Sequence, residues 1–393
     1  MTEQAVGASM LDSQEAVHPR VERVLHIVGA MNRGGAETML MTLYRAIDRT
    51  QWQFDFLEFS ADRSDYADEI TELGGRLVKT SWSQAPLRMP RTVQQLVRVL
   101  KSYGPFHAVH SHILFGSGAA LVAAGIAGVP IRIAHSHSTS DSDGPLDWVY
   151  QQAARCAIRS SATRFAACSG PAGAYLFGSG PFRRLGVLIP NAVDLDEFTP
   201  VGPLEKSDLR QQLGLPIDSL IAVSIARMEP VKNHGFLLRL AARMRDQSID
   251  FTLLLVGAGS LREQLEAETR ALQLEDRVRF LGLRDDVATI LRCADFLLLP
   301  SHFEGLPVVL VEAQASGVPC LVSDKVTEDS DLGLGLLTFL PISDVDAWAE
   351  ELKRRPQAQL DAGVIRSALS AQGYGVHEGL QRLMELYRPA VGT

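Results

Sequence analysis

Short apolar runs alternate with longer amphipathic stretches along the whole chain, and the alternation starts afresh about halfway. Residues 21–28 read as a first strand, followed by a glycine-bearing loop at 29–35 and a helix at 36–47. Further strands are predicted at 54–59, 76–78, 108–112, 131–137 and 164–168, with helical segments between them. Short apolar runs separated by helices suit strands buried on both faces, in a parallel, doubly wound sheet. The segment 187–198 closes this unit, and Thr199-Pro-Val-Gly-Pro203 reads as a linker. The pattern then restarts with strands at 220–226, 251–256, 278–281 and 296–299 and helices at 233–245, 261–272 and 308–315. Residues 376–387 form a last amphipathic helix. The expected architecture is α/β: a disordered leader at 1–20, Rossmann-like domains at 21–198 and 199–375, and a closing segment at 376–393.

A chain of 393 residues exceeds one ordinary core, which agrees with two domains. Hydrophobic content of 46% and charged content of 21% exclude a disordered or membrane-spanning chain. The most apolar stretch, 119–129, is stopped by Pro130 and is too short to cross a bilayer. Residues 1–20 contain no apolar signal-peptide region. Cys156, Cys168, Cys293 and Cys320 form no redox or metal motif and read as reduced cytoplasmic thiols.

The net charge of −8 is unevenly shared: residues 1–190 carry 18 Lys and Arg against 16 Asp and Glu, and residues 191–393 carry 20 against 30. No nucleic-acid footprint is visible. Basic residues cluster at Arg88, Arg91, Arg98 and Lys101, at Arg155, Arg159 and Arg164, and at Arg183 and Arg184; on helices the first two sets could form a basic face for anionic lipid. A solvated helix surface accounts for them equally well.

The chemistry concentrates after the strand at 296–299. Pro300-Ser301 stops that strand, and Pro307 opens the helix 308–315. Free backbone N–H groups from Gly305 and Leu306 onward would face the cleft above the sheet, where anions bind. Glu304 stands beside those donors, and Glu312 lies further along the helix. A phosphate site flanked by two carboxylates suits a nucleotide-sugar. Arg227 and Lys232, five residues apart at another strand–helix junction, could clamp its diphosphate from two sides without a metal.

Gly34 and Gly35 permit close backbone approach to a ligand, while Glu37 either meets that ligand or caps its own helix. Gly257-Ala-Gly259 reads as a tight turn or as a backbone contact to the nucleotide. Two His-x-His pairs, His110/His112 and His135/His137, end strands and can each share a strand face. Imidazoles at this spacing can chelate, but neither pair contains Cys, Asp or Glu, so no metal site is expected.

The Glu-x7-Glu spacing of Glu304 and Glu312, with Gly-Leu-Pro after the first and Ala313, Ala315, Gly317 and Pro319 near the second, resembles the retaining GT-B glycosyltransferases of family 4. The resemblance runs from Val24 to about Leu352 and implies two Rossmann-like domains facing a central cleft. It assigns Glu304 to hydroxyls of the donor sugar, Glu312 to the ribose, and Arg227 and Lys232 to the diphosphate, although Ala226 replaces the family's usual Gly. It gives His112, with His110 second, the orienting of sugar or acceptor. The run Ile133-Ala-His135-Ser-His137-Ser is similar to a capsule and exopolysaccharide subgroup, which places it beside the acceptor. Residues 279–283, Asp285 and Asp286 would edge the base pocket.

The implied reaction moves a hexose-type sugar from a nucleotide-diphosphate sugar, UDP-linked ahead of GDP-mannose, to a glycan or polyprenyl-linked acceptor. It would need no cofactor or metal and would run in the cytoplasm or on the inner face of the plasma membrane. A nucleotide-sugar hydrolase or epimerase on the same scaffold is the alternative. The missing G-x-G-x-x-G after the first strand speaks against a nicotinamide enzyme.

Overall fold

The structure is a computed structural model that describes residues 21–81, 89–138, 145–354 and 360–389. Its first sheet contains β1 (Glu22–Ile27), β2 (Trp52–Glu58), β3 (Leu77–Lys79), β4 (Ala108–Ser111), β5 (Ile131–Ser136), β6 (Arg164–Ala167) and β7 (Gly186–Leu188). The second contains β8 (Leu220–Ile225), β9 (Phe251–Val256), β10 (Val278–Gly282), β11 (Phe296–Leu299), β12 (Cys320–Ser323) and β13 (Leu337–Leu340). Their orders are β3-β2-β1-β4-β5-β6-β7 and β10-β9-β8-β11-β12-β13, and every pairing is parallel. Both orders reverse direction at the first strand of the unit, β1 or β8. Loops leaving the carboxyl ends of β1/β4 and β8/β11 therefore diverge and open a crevice at each switch point.

The central strands β4, β9, β11 and β12 are buried on both faces; the apolar runs of β9 and β11 suit this, while in β4 His110 and Ser111 are buried with the rest. β12 and β13, and β7 as a strand separate from the segment 187–198, were not foreseen. Each spans only three or four residues.

Buried charges fasten several elements. Asp55 accepts Arg23 Nε at 2.7 Å and Arg76 Nη2 at 2.5 Å. Asp295 accepts Lys206 Nζ at 2.7 Å, Arg210 Nη2 at 2.8 Å and the backbone N–H of Ile221 at 2.8 Å, which pins helix Pro203–Gln212 against β8.

The expected basic face is only partly present. Arg155 Nη2 donates to Tyr175 O at 2.8 Å, and Arg159 Nε and Nη2 donate to Phe177 O at 3.1 and 2.5 Å. Both cations thus satisfy the open carbonyls at the end of helix Gly170–Phe177, a structural use that removes them from a lipid-facing set. Arg91, Arg98 and Lys101 do stand exposed on helix Met89–Tyr103, while Arg88 lies outside the described residues. Among the described residues no helix is long and apolar enough to cross a membrane.

The chain returns to its beginning. Val193 N donates to Tyr374 O at 2.8 Å, and a parallel bridge joins Val193 to Gly375 where the two connections pass between domains. Helix Val376–Tyr387 then packs on helix Gly35–Ala46 of the first domain. Leu383, Leu386 and Tyr387 are buried there among Leu43, Tyr44 and Phe54. His107 Nε2 lies 2.6 Å from Tyr387 O and joins the helix end to the sheet.

Because this helix completes the first domain's core, Leu383→Ala is expected to destabilise the protein by about 2–4 kcal/mol in urea unfolding. A loss below about 1 kcal/mol would show that the helix is only laid against the surface.

Candidate functional site

The carboxyl ends of both sheets face one cleft of about 910 Å3. On its first-domain side runs the loop after β1, held by acids. Met31 N donates to the buried Glu58 Oε2 at 2.9 Å, Ser64 Oγ donates to the same oxygen at 2.5 Å, and Arg33 N donates to Asp65 Oδ2 at 3.0 Å. The loop delivers Gly34 and Gly35 to the cleft wall. A Cβ on Gly34 would lie 2.5 Å from Glu37 Oε2 and would displace that side chain, and one on Gly35 would lie 3.0 Å from Val308 Cγ2 across the cleft, a tight contact. Glu37 also lines the cleft. Burial raises its carboxyl, and Arg227 on the opposite wall works against that rise.

The second domain supplies two loops tied to each other. After β8 comes the turn Pro230–Lys232, then Asn233 in the left-handed region at φ 55°, a conformation Asn tolerates better than most residues. Asn233 Nδ2 donates to Pro300 O at 3.1 Å, and His302 N donates to Val231 O at 2.8 Å. These ties set Lys232 Nζ 2.5 Å from Glu304 Oε1, an oxygen that also accepts Ser301 Oγ at 2.7 Å. Arg227, exposed, lines the same cleft.

Beyond Glu304, the cleft is lined by Gly305, Leu306 and Pro307, which caps helix Val308–Ala315 without a side-chain bond. The first-turn N–H groups of that helix are the natural partners of an anion. Glu312 lines the cleft on the same helix, its carboxyl pushed up to about 7 by burial and by Glu197 nearby.

The glycine turn after β9 is needed for packing. A Cβ on Gly257, at φ 134°, would lie 2.1 Å from Ala226 O, and one on Gly259 would lie 2.5 Å from Met228 O. The loops after β8 and β9 thus touch backbone to backbone, and Gly257 and Ala258 line the cleft. Of the anticipated base-pocket residues, Leu283 and Asp285 line the cleft with Arg284, whereas Arg279 turns away and donates to Gly214 O at 2.8 Å.

The histidines are placed differently from their expected roles. His137 lines the cleft and also a smaller adjoining recess of about 190 Å3, which it shares with Glu304, Gly305 and Leu306. His112 does not line either cavity: its Nδ1 lies 2.8 Å from His137 Nε2, one layer behind. His110 and His135 are wholly buried, 3.2 Å apart between His110 Nε2 and His135 Nδ1. Strand alternation puts all four on one sheet face, but their different depths along β4 and β5 leave only His137 at the cleft. Burial lowers His137 to about 4 and His26, on β1 behind it, to about 3, and holds His110, His112 and His135 well below the usual histidine range. All five rings are therefore neutral.

Residues 33–197 match the family described as Glycosyltransferase Family 4, and residues 205–331 match Glycosyl transferases group 1. EpsF of Bacillus subtilis, itself assigned only as a glycosyltransferase, is 42% identical over 93% of this chain and 96% of its own length. The chain belongs to this glycosyltransferase family. A second relative, the UDP-Gal:alpha-D-GlcNAc-diphosphoundecaprenol alpha-1,3-galactosyltransferase of Escherichia coli, is 35% identical over 42% of this chain and 44% of its own. Among solved structures, Anabaena HepE in complex with UDP and glucose superposes with a TM-score of 0.73 at 20% identity, covering 93% of this chain and 98% of that one. The fold is thus GT-B, two parallel-sheet domains about a cleft.

The glycosyltransferase site also uses residues its sequence did not announce. Arg33 forms an ion pair with Asp285 and donates to Arg284 O at 2.8 Å, strapping one domain to the other across the cleft. Asn191 and Glu197, from the segment between the domains, line the cleft as well. No spacing rule could have revealed them, because their partners lie far away in sequence.

Glu312 sets a pH dependence. Its folded carboxyl titrates near 7 against an ordinary 4.5, so the folded state keeps a proton that the unfolded chain releases earlier. The stability this proton contributes is complete below about 4.5 and is lost as pH rises through 7. Glu312→Gln should match the parent in urea unfolding near pH 4.5. At pH 8 it should exceed the parent by on the order of 1–2 kcal/mol, after discounting for partial solvent access. Equal stability at pH 8 would show an ordinary solvated carboxylate.

Proposed function

We propose that the chain transfers a hexose-type sugar from a nucleotide-diphosphate sugar, a UDP-sugar ahead of GDP-mannose, to a glycan or polyprenyl-linked acceptor in surface polysaccharide assembly. The observation that carries this reading is the meeting of two cavities at Glu304 and His137. The larger cavity collects Arg227, Lys232 and an uncapped helix start, which are donors for a diphosphate. The smaller, bordered by Lys325 and Ser169, leaves an acceptor room beside the same sugar position. The whole-length likeness to EpsF supports the glycosyltransferase activity, and the partial likeness to a galactosyltransferase acting on a diphosphoundecaprenol-linked sugar supports the acceptor class. A structural neighbour bound to UDP and glucose supports the donor class.

In this reading Lys232 changes partners. Without donor it neutralises Glu304; with donor it turns to the diphosphate, and Glu304 is released to accept hydrogen bonds from sugar hydroxyls. Arg227 adds a planar fork from the cleft wall, so charge developing on the leaving diphosphate is met by fixed cations without a metal. Glu312 accepts from the ribose. The acceptor attacks the face the diphosphate leaves, and the leaving phosphate takes its proton, so configuration is retained and no carboxylate forms a glycosyl bond.

Exposed Trp148 and Val149 on helix Pro145–Ser161, with Arg91, Arg98 and Lys101 on helix Met89–Tyr103, would rest on an anionic cytoplasmic leaflet.

The function is tested by incubating the purified chain with UDP-sugars and a polyprenyl-diphosphate-linked sugar. Elongated acceptor with retained anomeric configuration is expected, and free sugar from donor alone would indicate the hydrolase alternative. Among nucleoside diphosphates UDP should raise the melting temperature in EDTA; a rise that needs magnesium would contradict the cation clamp.

Glu304→Gln should lower turnover at least ~100-fold by losing the charge that orients the sugar. Activity within threefold of the parent would remove Glu304 from the site.

A further inference from the structure

Five imidazoles from three adjacent strands fill one face of the first sheet: His26 on β1, His110 and neighbouring His112 at β4, His135 and neighbouring His137 at β5. Most of their ring nitrogens are engaged with one another. His26 Nδ1 lies 3.1 Å from His112 Nε2, His112 Nδ1 lies 2.8 Å from His137 Nε2, and His110 Nε2 lies 3.2 Å from His135 Nδ1. Tyr387, from the last helix, places its hydroxyl 2.9 Å from His110 Nδ1 and 3.5 Å from His26 Nε2. Among the described residues, three buried atoms at the edge of this array have no partner in bonding geometry: His135 Nε2, His137 Nδ1 and Asn191 Oδ1. An open imidazole nitrogen on a residue only 1% exposed is costly unless something binds it.

We propose that His112, His135 and His137 bind a divalent first-row transition-metal ion, Zn2+ or a similar imidazole-seeking cation, behind the wall of the sugar cleft. One ring nitrogen from each already lies within 4.8 Å of the others. Ligation through His112 Nδ1, His135 Nε2 and His137 Nε2 leaves every other ring N–H with an acceptor. His112 Nε2–H donates to His26 Nδ1, His135 Nδ1–H to His110 Nε2, and His137 Nδ1–H reaches toward the open Asn191 Oδ1. His26 and His110 in turn donate to the Tyr387 oxygen. This is the outer-shell support that fixes ligand tautomers in metal sites, here built from neutral groups.

Two nitrogens bound about 2.0–2.1 Å from a tetrahedral ion stand roughly 3.3 Å apart, so His112 and His137 need separate by only about half an ångström. The rings are already uncharged, the form that ligates. Among the described residues no thiol or carboxylate completes the set, and neither His-x-His pair contains one in sequence; the fifth ring, on β1, and the open nitrogens become visible only in three dimensions. The ion would set the position of His137, where the two cavities meet.

The probe is Co2+, titrated into metal-stripped full-length protein. One Co2+ per chain with the visible d–d absorption of a low-coordinate nitrogen site is expected, displaced by Zn2+. His137→Asn, at the cleft edge, should weaken Co2+ binding at least tenfold, and His135→Gln should remove the band in protein that circular dichroism shows to be folded. As a second measurement, Zn2+ without nucleotide should raise the melting temperature of the parent but not of His137→Asn. No band in the folded parent, or a band unchanged in a folded His135→Gln/His137→Asn variant, would overturn the site and assign cobalt to exposed rings such as His302 and His377. Neither readout depends on sugar transfer, so a failure here leaves the proposed reaction untouched.

Discussion

The pair formed by Lys232 and Glu304 is the constraint around which the second domain's edge is arranged. Both groups are largely buried at the wall of the cleft, and each is the other's counter-ion there. Removing one partner of such a pair leaves an uncompensated charge and typically costs 3–5 kcal/mol, whereas the intact pair itself stabilises little. Its value lies in placement. To hold the two groups together, the turn after β8 and the loop after β11 must meet. That contact requires Asn233 in a left-handed conformation, bonded to Pro300 O, with His302 N closing the other side. Behind them Gly257 and Gly259 let the loop after β9 press against the backbone of Ala226 and Met228. The Ala at 226, where the family usually has Gly, fits this arrangement because its backbone makes the contact.

The second level of organisation is the approach of the domains. Gly35 stands close to Val308, and a Cβ on Gly305 would come within 3.6 Å of His137 O, so the two walls touch through residues without side chains. The Arg33–Asp285 pair closes the rim, but Asp285 is mostly exposed, which makes this strap weak and easily reopened. At the opposite end Val193 and Gly375 cross as a short parallel bridge, and helix Val376–Tyr387 is built into the first domain's core. A firm attachment at one end and a screened charge pair at the other describe a cleft that can admit a nucleotide without dismantling either domain.

Much of this was legible in the sequence, for identifiable reasons. The strands at 296–299 and 251–256 are long apolar runs bounded by Pro or Gly, and the structure places them within a residue. Glu304, Glu312, Arg227 and Lys232 all line the cleft because each follows the carboxyl end of a strand, where doubly wound folds expose their loops. The strands β12 and β13 were not predicted, although β11, also of four residues, was. Charge lists failed where cations serve the backbone, as Arg155 and Arg159 do at the end of helix Gly170–Phe177. The histidine spacing correctly indicated a shared face, but spacing cannot tell depth. His112 therefore lies behind His137 instead of at the cleft, and His26 joins the array with no partner nearby in sequence.

That array also explains why the chain's last helix must return to the first domain. Tyr387 is the only non-imidazole side chain found bonded to His110 and His26 among the described residues, and its hydroxyl is wholly buried between them. Its own tendency to ionise is suppressed by that burial, so it stays a neutral donor and acceptor. Without it, two more ring nitrogens would be buried and open, at a cost of about 1–3 kcal/mol each. The end of the chain thus reaches the site by an indirect route: Tyr387 orders the rings behind His137, and His137 forms the wall on which the two cavities converge. A contact path of neutral side chains, from Tyr387 through His26 and His112 to His137, thus joins that helix to the cleft wall.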